Sequence, residues 1–214
     1  MTYQVIFNTA QSIEIDRRKI VGQTVSRSER IRTAERDSAN AFKFRVQPVA
    51  RFRYSTNRDT IESIMNLDRF TEEQINVAIT ANTYYLTQYQ GQLTSGNLAS
   101  MNISTFTNNQ VTFSSLPSVA TSTVMFKAGD WIQPTLSRYP YIVSETVLRG
   151  SGSSITATVH RSLITSEATT VTGAFLVGTA TTVRLVATQL PSVKLVQRDW
   201  AEFTGDFEFV ESIR

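Results

Sequence analysis

Short alternating runs, broken by turn residues at intervals of about ten, leave this chain little choice but a β architecture. The runs Met101–Phe106, Gln110–Phe113, Val124–Phe126, Trp131–Gln133, Tyr139–Val147 and Ser154–His160 are separated by turn-forming stretches. These are Asn108-Asn109, Leu116-Pro117-Ser118, Lys127-Ala128-Gly129-Asp130 and Arg149-Gly150-Ser151-Gly152. In the last run Ile155, Ala157 and Val159 share one face. Strands this short, repeated at this spacing, predict a small barrel or sandwich. Tyr84–Tyr89 reads as a further strand leading into it.

The flanking segments carry a second set of strand signals. Tyr3–Phe7 and Ile13–Ile15 read as short strands broken at Asn8, and Ile20–Val25 as another. Ser26–Asn40 is polar and charged without apolar periodicity, so it reads as a long loop or arm, a candidate for interaction. Ala41–Val46 alternates apolar with basic, Pro48 interrupts, and Val49–Tyr54 resumes the alternation. One sheet face is then expected to carry Lys43, Arg45, Arg51 and Arg53. The one strong helix signal spans about 58–70: Ser55 or Asn57 can cap it, and Ile61, Ile64, Met65 and Asp68 follow helical spacing, widened by Leu67 and Phe70. Thr71-Glu72-Glu73 can open a short second helix, while Ile75–Ile79 fits a strand. Ala174–Val177 and Thr182–Ala187 read as strands, Leu190-Pro191 as a break, and Trp200–Val210 as an alternating strand with a bulge at Gly205.

Charge is distributed unevenly over this pattern. From Asp16 to Arg58 twelve Lys and Arg residues face four acids, whereas between Phe70 and Phe126 only Glu72 and Glu73 are charged. Catalytic sites gather ionisable groups from several segments; here charge sits at one end and neutral β-rich sequence in the middle, which points to surfaces that meet other proteins. Arg27, Arg30, Arg32, Arg36, Lys43, Arg45, Arg51 and Arg53 are the candidate contact residues. A net charge of only +3 and acids interleaved with the arginines argue against nucleic-acid binding.

Little in the chain points to catalysis. There is no cysteine, which removes disulfides and thiolate chemistry together. His160 is the only histidine and stands beside Arg161 in an alternating run, a structural or surface position. Glu72-Glu73 and Glu208 with Glu211 are isolated acid pairs without the further ligands of a calcium loop. Gly150-Ser151-Gly152-Ser153-Ser154 lacks the Gly-Lys ending of a phosphate loop and reads as a hairpin turn. Tyr84, Tyr85, Tyr89, Trp131, Tyr139 and Tyr141 either fill a core or stack on sugars. No apolar run approaches the roughly 18 residues of a membrane span, and the N-terminus lacks a signal-peptide pattern, so a soluble protein is expected.

Three segments together resemble the virion structural proteins of tailed bacteriophages, especially contractile-tailed phages of cyanobacteria. They are Tyr3–Asn8 through Ile15–Lys19; Phe126–Gln133 with Tyr139-Pro140-Tyr141, Arg149–Gly152 and His160-Arg161; and Leu190-Pro191 through Glu202–Glu211. The resemblance implies a mainly β fold with one main helix: a tail-tube-like β-barrel or sandwich domain from residues 1–82 and 172–214, carrying an inserted small β-barrel at 83–171. It implies a non-enzymatic component of the tail tube, tube initiator or baseplate hub, without cofactor or metal. Such a component is made in the host cytoplasm and assembled into the virion. Its partners are copies of itself in a six-fold or three-fold ring and other tail or baseplate proteins, with no membrane, and nucleic acid only as DNA passing through a tube lumen. The alternative is a receptor- or carbohydrate-binding adaptor at the tail tip, with a groove built on Trp131 and nearby tyrosines.

Overall fold

The computed structural model describes residues 3–18, 21–25, 31–35, 40–67, 71–78, 83–165, 171–196 and 198–213, with 21–25 and 31–35 described as backbone. Strands account for 40% and helical turns for 16%, so the fold is mainly β, and one sheet curls through half a barrel. The first part of the chain forms α1 (Gln4–Asn8), β1 (Ala10–Asp16), β2 (Val21–Val25), β3 (Ile31–Glu35), β4 (Lys43–Pro48), β5 (Phe52–Arg53), α2 (Tyr54–Met65) and β6 (Glu73–Ile75). The middle forms a 3-10 turn at Tyr84–Leu86, α3 (Ser95–Ser100), β7 (Asn102–Thr107), β8 (Gln110–Ser114), β9 (Val124–Phe126), β10 (Trp131–Pro134), β11 (Tyr141–Ile142), β12 (Val147–Leu148) and β13 (Ile155–Thr158). The last part forms β14 (Phe175–Val177), a 3-10 turn at Gly178–Ala180, β15 (Val183–Gln189), β16 (Val193–Val196), β17 (Trp200–Phe203) and β18 (Phe207–Glu211).

The largest sheet has five antiparallel strands in the order β1-β4-β18-β15-β6. Its pleat sends Phe44, Val46, Phe207, Phe209, Val183, Leu185, Ala187 and Ile75 to one face, where all are buried. Helix α1 lies against this face: the rings of Tyr3 and Phe7 each meet Phe209 in a tilted contact at 5.2 Å, and Phe7 meets Phe44 edge-on at 6.0 Å. Full burial of each such side chain contributes roughly 1.5–3 kcal/mol. A second buried cluster is built from the middle of the chain, including Phe106, Val111, Phe113, Phe126, Tyr139, Tyr141, Ile155, Ala157 and Val159. Trp131 and Ile142, although they come from the same stretch, pack into the first cluster with Phe42 and Phe44.

Several sequence expectations are borne out. The hairpin of β7 and β8 turns at Asn108, whose φ of 54° is the left-handed conformation Asn tolerates. Strands also form at Ala10–Asp16, Val21–Val25, Lys43–Pro48, Ile155–Thr158 and Phe175–Val177.

Others are corrected. Tyr3–Phe7 lies in a helical turn and not a strand, because Tyr3, Ile6 and Phe7 at i, i+3 and i+4 all reach the core, whereas a strand would have split them across two faces. The side-chain amide of Gln4 fixes that turn by bonding both ways to the Asn76 backbone, accepting from N–H at 2.9 Å and donating to the carbonyl at 2.8 Å. The main helix starts at Tyr54, earlier than 58, and closes at Asn66; 68–70 lie outside the described residues. Neither Ser55 nor Asn57 caps it. Asp199 does so from across the fold, its carboxylate accepting from the Ser55 N–H at 2.8 Å and its carbonyl from the Tyr54 N–H at 2.8 Å. The arm at 26–40 contains a strand, since Ile31–Glu35 pairs residue for residue with Val21–Val25; 26–30 and 36–39 lie outside the described residues.

Glu73 opens a short strand and not a helix. Tyr84–Leu86 is a 3-10 turn and not a strand. Tyr139–Val147 yields two separate two-residue strands, interrupted where Gly129 N–H and Val143 carbonyl pair across the turn. The final run changes sheets at Thr204–Asp206, so β17 and β18 belong to different sheets and Gly205 is a corner between them.

Candidate assembly surfaces

The four described basic candidates with placed side chains fall on two sheets, which corrects the expectation of a single basic face. Lys43 and Arg45 stand on β4 in the five-stranded sheet, while Arg53 lies in β5 and Arg51 just before it, in the sheet β16-β17-β5. The break comes at Pro48, which ends β4 and lacks the N–H needed to continue the ladder.

On the outer face of the five-stranded sheet, cross-strand register sets Glu14 opposite Arg45 on one side and Glu208 opposite it on the other. Arg45 Nε donates to Asp206 at 2.7 Å. Next along β4, on the same face, Lys43 stands opposite Asp16, whose carboxylate is held below its ordinary pKa chiefly by the hydrogen bond from Arg18 at 3.0 Å. This face is a ladder of mixed charge with a local acidic excess around Arg45. A cleft of about 210 Å³ runs along it, lined by Glu14, Asp16, Lys43, Arg45, Thr188 and Glu208 among others.

The three-stranded sheet shows the opposite balance. Its inner face carries Phe52 and Phe203, whose rings meet at 5.3 Å. Beside them a mainly apolar cleft of about 130 Å³ opens between α2 and Pro48-Val49. On the outer face Glu202 lies 3.6 Å from Arg51 and 3.6 Å from Lys194. Arg53 stands over the Trp200 ring at 5.8 Å.

Where the two apolar clusters meet, the chain places a charge that no solvent reaches. The side chains of Arg161 and Glu211 are both fully buried. Nη1 and Nη2 of Arg161 donate to the two carboxylate oxygens at 2.5 and 2.7 Å, and Nη2 also donates to the Pro140 carbonyl at 2.7 Å. The guanidinium sits between the rings of Phe42 and Tyr141, at 5.0 and 5.3 Å. Glu211 accepts in addition from the Phe42 N–H at 3.0 Å.

His160 packs beside this pair, 5.1 Å from the Phe42 ring. Its Nδ1 accepts from the Ile142 N–H at 3.0 Å, which puts the neutral ring's proton on Nε2, an atom buried without a hydrogen-bond partner. Burial, reinforced by the positive charge of Arg161, pushes the His160 pKa down to about 3.

These joint residues were not among the candidates expected from sequence. One signal for them was present: the alternation Phe207, Phe209, Glu211 places the acid on the core face, where it needs a cationic partner. Trp131, Tyr139 and Tyr141 are buried, so they form no sugar-stacking groove, although Tyr84 and Tyr85 are exposed. Arg27, Arg30 and Arg36 lie outside the described residues, and Arg32 is placed by its backbone in β3.

No protein-family model matches the chain, and no curated protein matches it. Among the described residues no group of three or more His, Asp or Glu is placed to hold a metal ion. No described helix is long and apolar enough to cross a membrane.

Proposed function

We propose that this chain is a non-enzymatic structural subunit of a phage tail, in the tube, tube-initiator or baseplate-hub region, and that it assembles into a ring with its own copies and with neighbouring tail proteins. The observation that carries this reading is the unfinished curl of the main sheet. Among the described strands, the seven-residue β1 has a partner on one edge only, and the three-residue β6 closes the other end without meeting it. An exposed edge of that length is a template for another chain. A closed ring pairs such edges a finite number of times.

Two further features support the reading. The β2–β3 hairpin pairs with no other described strand, and it belongs to the Arg-rich segment that supplies the chain's basic charge. The buried Arg161–Glu211 pair would hold the insert at 83–171 in a defined pose on the ring-forming unit. The adaptor alternative keeps fewer residues for its groove, because Trp131, Tyr139 and Tyr141 are in the core while Tyr84 and Tyr85 are exposed.

Deletion of residues 27–39 tests the reading. The five-stranded sheet makes no strand pairing with β3, so the deleted chain is expected to fold and to remain monomeric. Normal rings in negative-stain micrographs of the deletion variant would overturn the assignment.

A further inference from the structure

Two clusters on this surface carry an excess of opposite charge. At the first, one cation, Arg45, is surrounded by Glu14 and Glu208 across the ladder and by Asp206 at 2.7 Å. Three carboxylates against one guanidinium leave an excess of two negative charges. At the second, one acid, Glu202, has Arg51 and Lys194 each at 3.6 Å, with Arg53 on the same face two residues along from Arg51. Asp199 also acts on Arg53, so three cations stand against two carboxylates and positive charge is left in excess. Arg51 and Lys194 remain about two-thirds exposed.

We infer that these clusters dock against each other between two copies of this chain, the Arg51–Lys194–Arg53 face of one copy meeting the Glu14–Asp206–Glu208 face of the next. This rests on the assembly reading above and names the surfaces that carry it. The contact rests on complementarity of sign. An acidic excess on one copy and a basic excess on the next attract each other. Such contacts fix orientation and accelerate encounter more than they add affinity.

The basic cluster also carries the kind of anchor that holds an interface once formed. Trp200 is 40% exposed, lies opposite Val196 and Arg53 in the ladder, and presents an aromatic surface beside Arg53. Trp and Arg dominate interface hot spots. The strand that carries Trp200 and Glu202 leads through Thr204–Asp206 into the strand that carries Glu208.

A charge swap in the full chain tests the contact. Arg51→Glu/Lys194→Glu makes both faces acidic, and Glu14→Lys/Glu208→Lys makes both basic. Each variant alone is expected to raise the concentration needed for assembly by about tenfold or more, and their equimolar mixture to restore pairing between unlike copies, closing six-membered rings by alternation and leaving three-membered rings open at one like-charged contact. Thermal unfolding of each variant verifies the fold, and the neutral pair Arg51→Gln/Lys194→Gln, expected to weaken assembly without repulsion, serves if a reversal does not fold. Assembly that is indifferent to either reversal, or a mixture in which unlike copies do not pair at all, overturns the contact and leaves the ring reading standing. Wild-type protein that stops at two copies upholds the contact and overturns the ring. Wild-type protein that never associates overturns both.

Discussion

Arg161 and Glu211, fifty positions apart, meet in a two-pronged ion pair from which solvent is excluded on both sides. The pair ties the end of β18 to the turn after β13, and through the Phe42 N–H and the Pro140 carbonyl it reaches β11 and the start of β4. Removing one partner leaves the other as a buried charge. Arg161→Met is expected to destabilise the fold by about 3–5 kcal/mol, whereas Arg161→Met/Glu211→Leu is expected to cost less than the single change. Urea unfolding of the wild type and the two variants checks this; a double variant that loses as much as the single one, or more, would contradict it.

The neighbouring His160 makes stability depend on pH. Its folded-state pKa of about 3 lies below the ordinary 6.5, so the unfolded chain binds the proton more tightly. The stability it contributes is complete above pH 6.5 and is lost as pH falls towards 3. Between pH 7.5 and pH 5 the loss amounts to roughly 2 kcal/mol. His160→Gln is expected to flatten that part of the profile. An unchanged slope in the variant would assign the acid sensitivity to other groups.

Gly91 occupies a place no side chain can share. A Cβ there would stand 2.7 Å from the Met125 carbonyl oxygen and inside the contact distance of the Tyr89 ring. Tyr89 is itself fixed, donating its hydroxyl to the Met125 carbonyl and accepting from the Leu93 N–H, and burial pushes its pKa up to about 12. Gly91→Ala is expected to cost about 1–3 kcal/mol through this crowding, measured as a lower unfolding midpoint. A neutral outcome would mean that the Tyr89 ring moves aside freely.

Asp199 starts helix α2 from a distance. Arg198 and Asp199 both take left-handed backbone angles, φ 59° and 69°, and that turn brings the Asp199 carboxylate to the Ser55 N–H and hydroxyl. Asp199→Ala is expected to speed hydrogen exchange at the Ser55 amide while leaving the amides of β15 unchanged. Equal exchange at Ser55 in the two proteins would show the cap to be idle.

The strands of the middle segment were legible because each is short, alternates cleanly and ends in Asn, Gly or Pro. Helix α1 was not, since Tyr3, Val5 and Phe7 alternate as well as Tyr3, Ile6 and Phe7 follow a helical turn; the Gln4–Asn76 amide pairing and the Phe209 contact decide between them, and both are long-range. The early start of α2 was hidden for the same reason, its cap arriving from residue 199. Lys43, Arg45, Arg51 and Arg53 were read as one face because alternation carries no sign that the chain changes sheets at Pro48. Their surplus charge was visible in sequence. The carboxylates that balance Arg45 come from β1, β18 and the corner before β18, and the cations that crowd Glu202 from β16 and from β5 with the residues before it, so those clusters exist only once the fold is made.

The mass of the species that the purified full-length chain forms at rising concentration, read by sedimentation and by negative-stain imaging, tests the central claim most directly. The account predicts closed rings of three or six copies. A monomer at every concentration, or an open-ended series of sizes without closure, would contradict it.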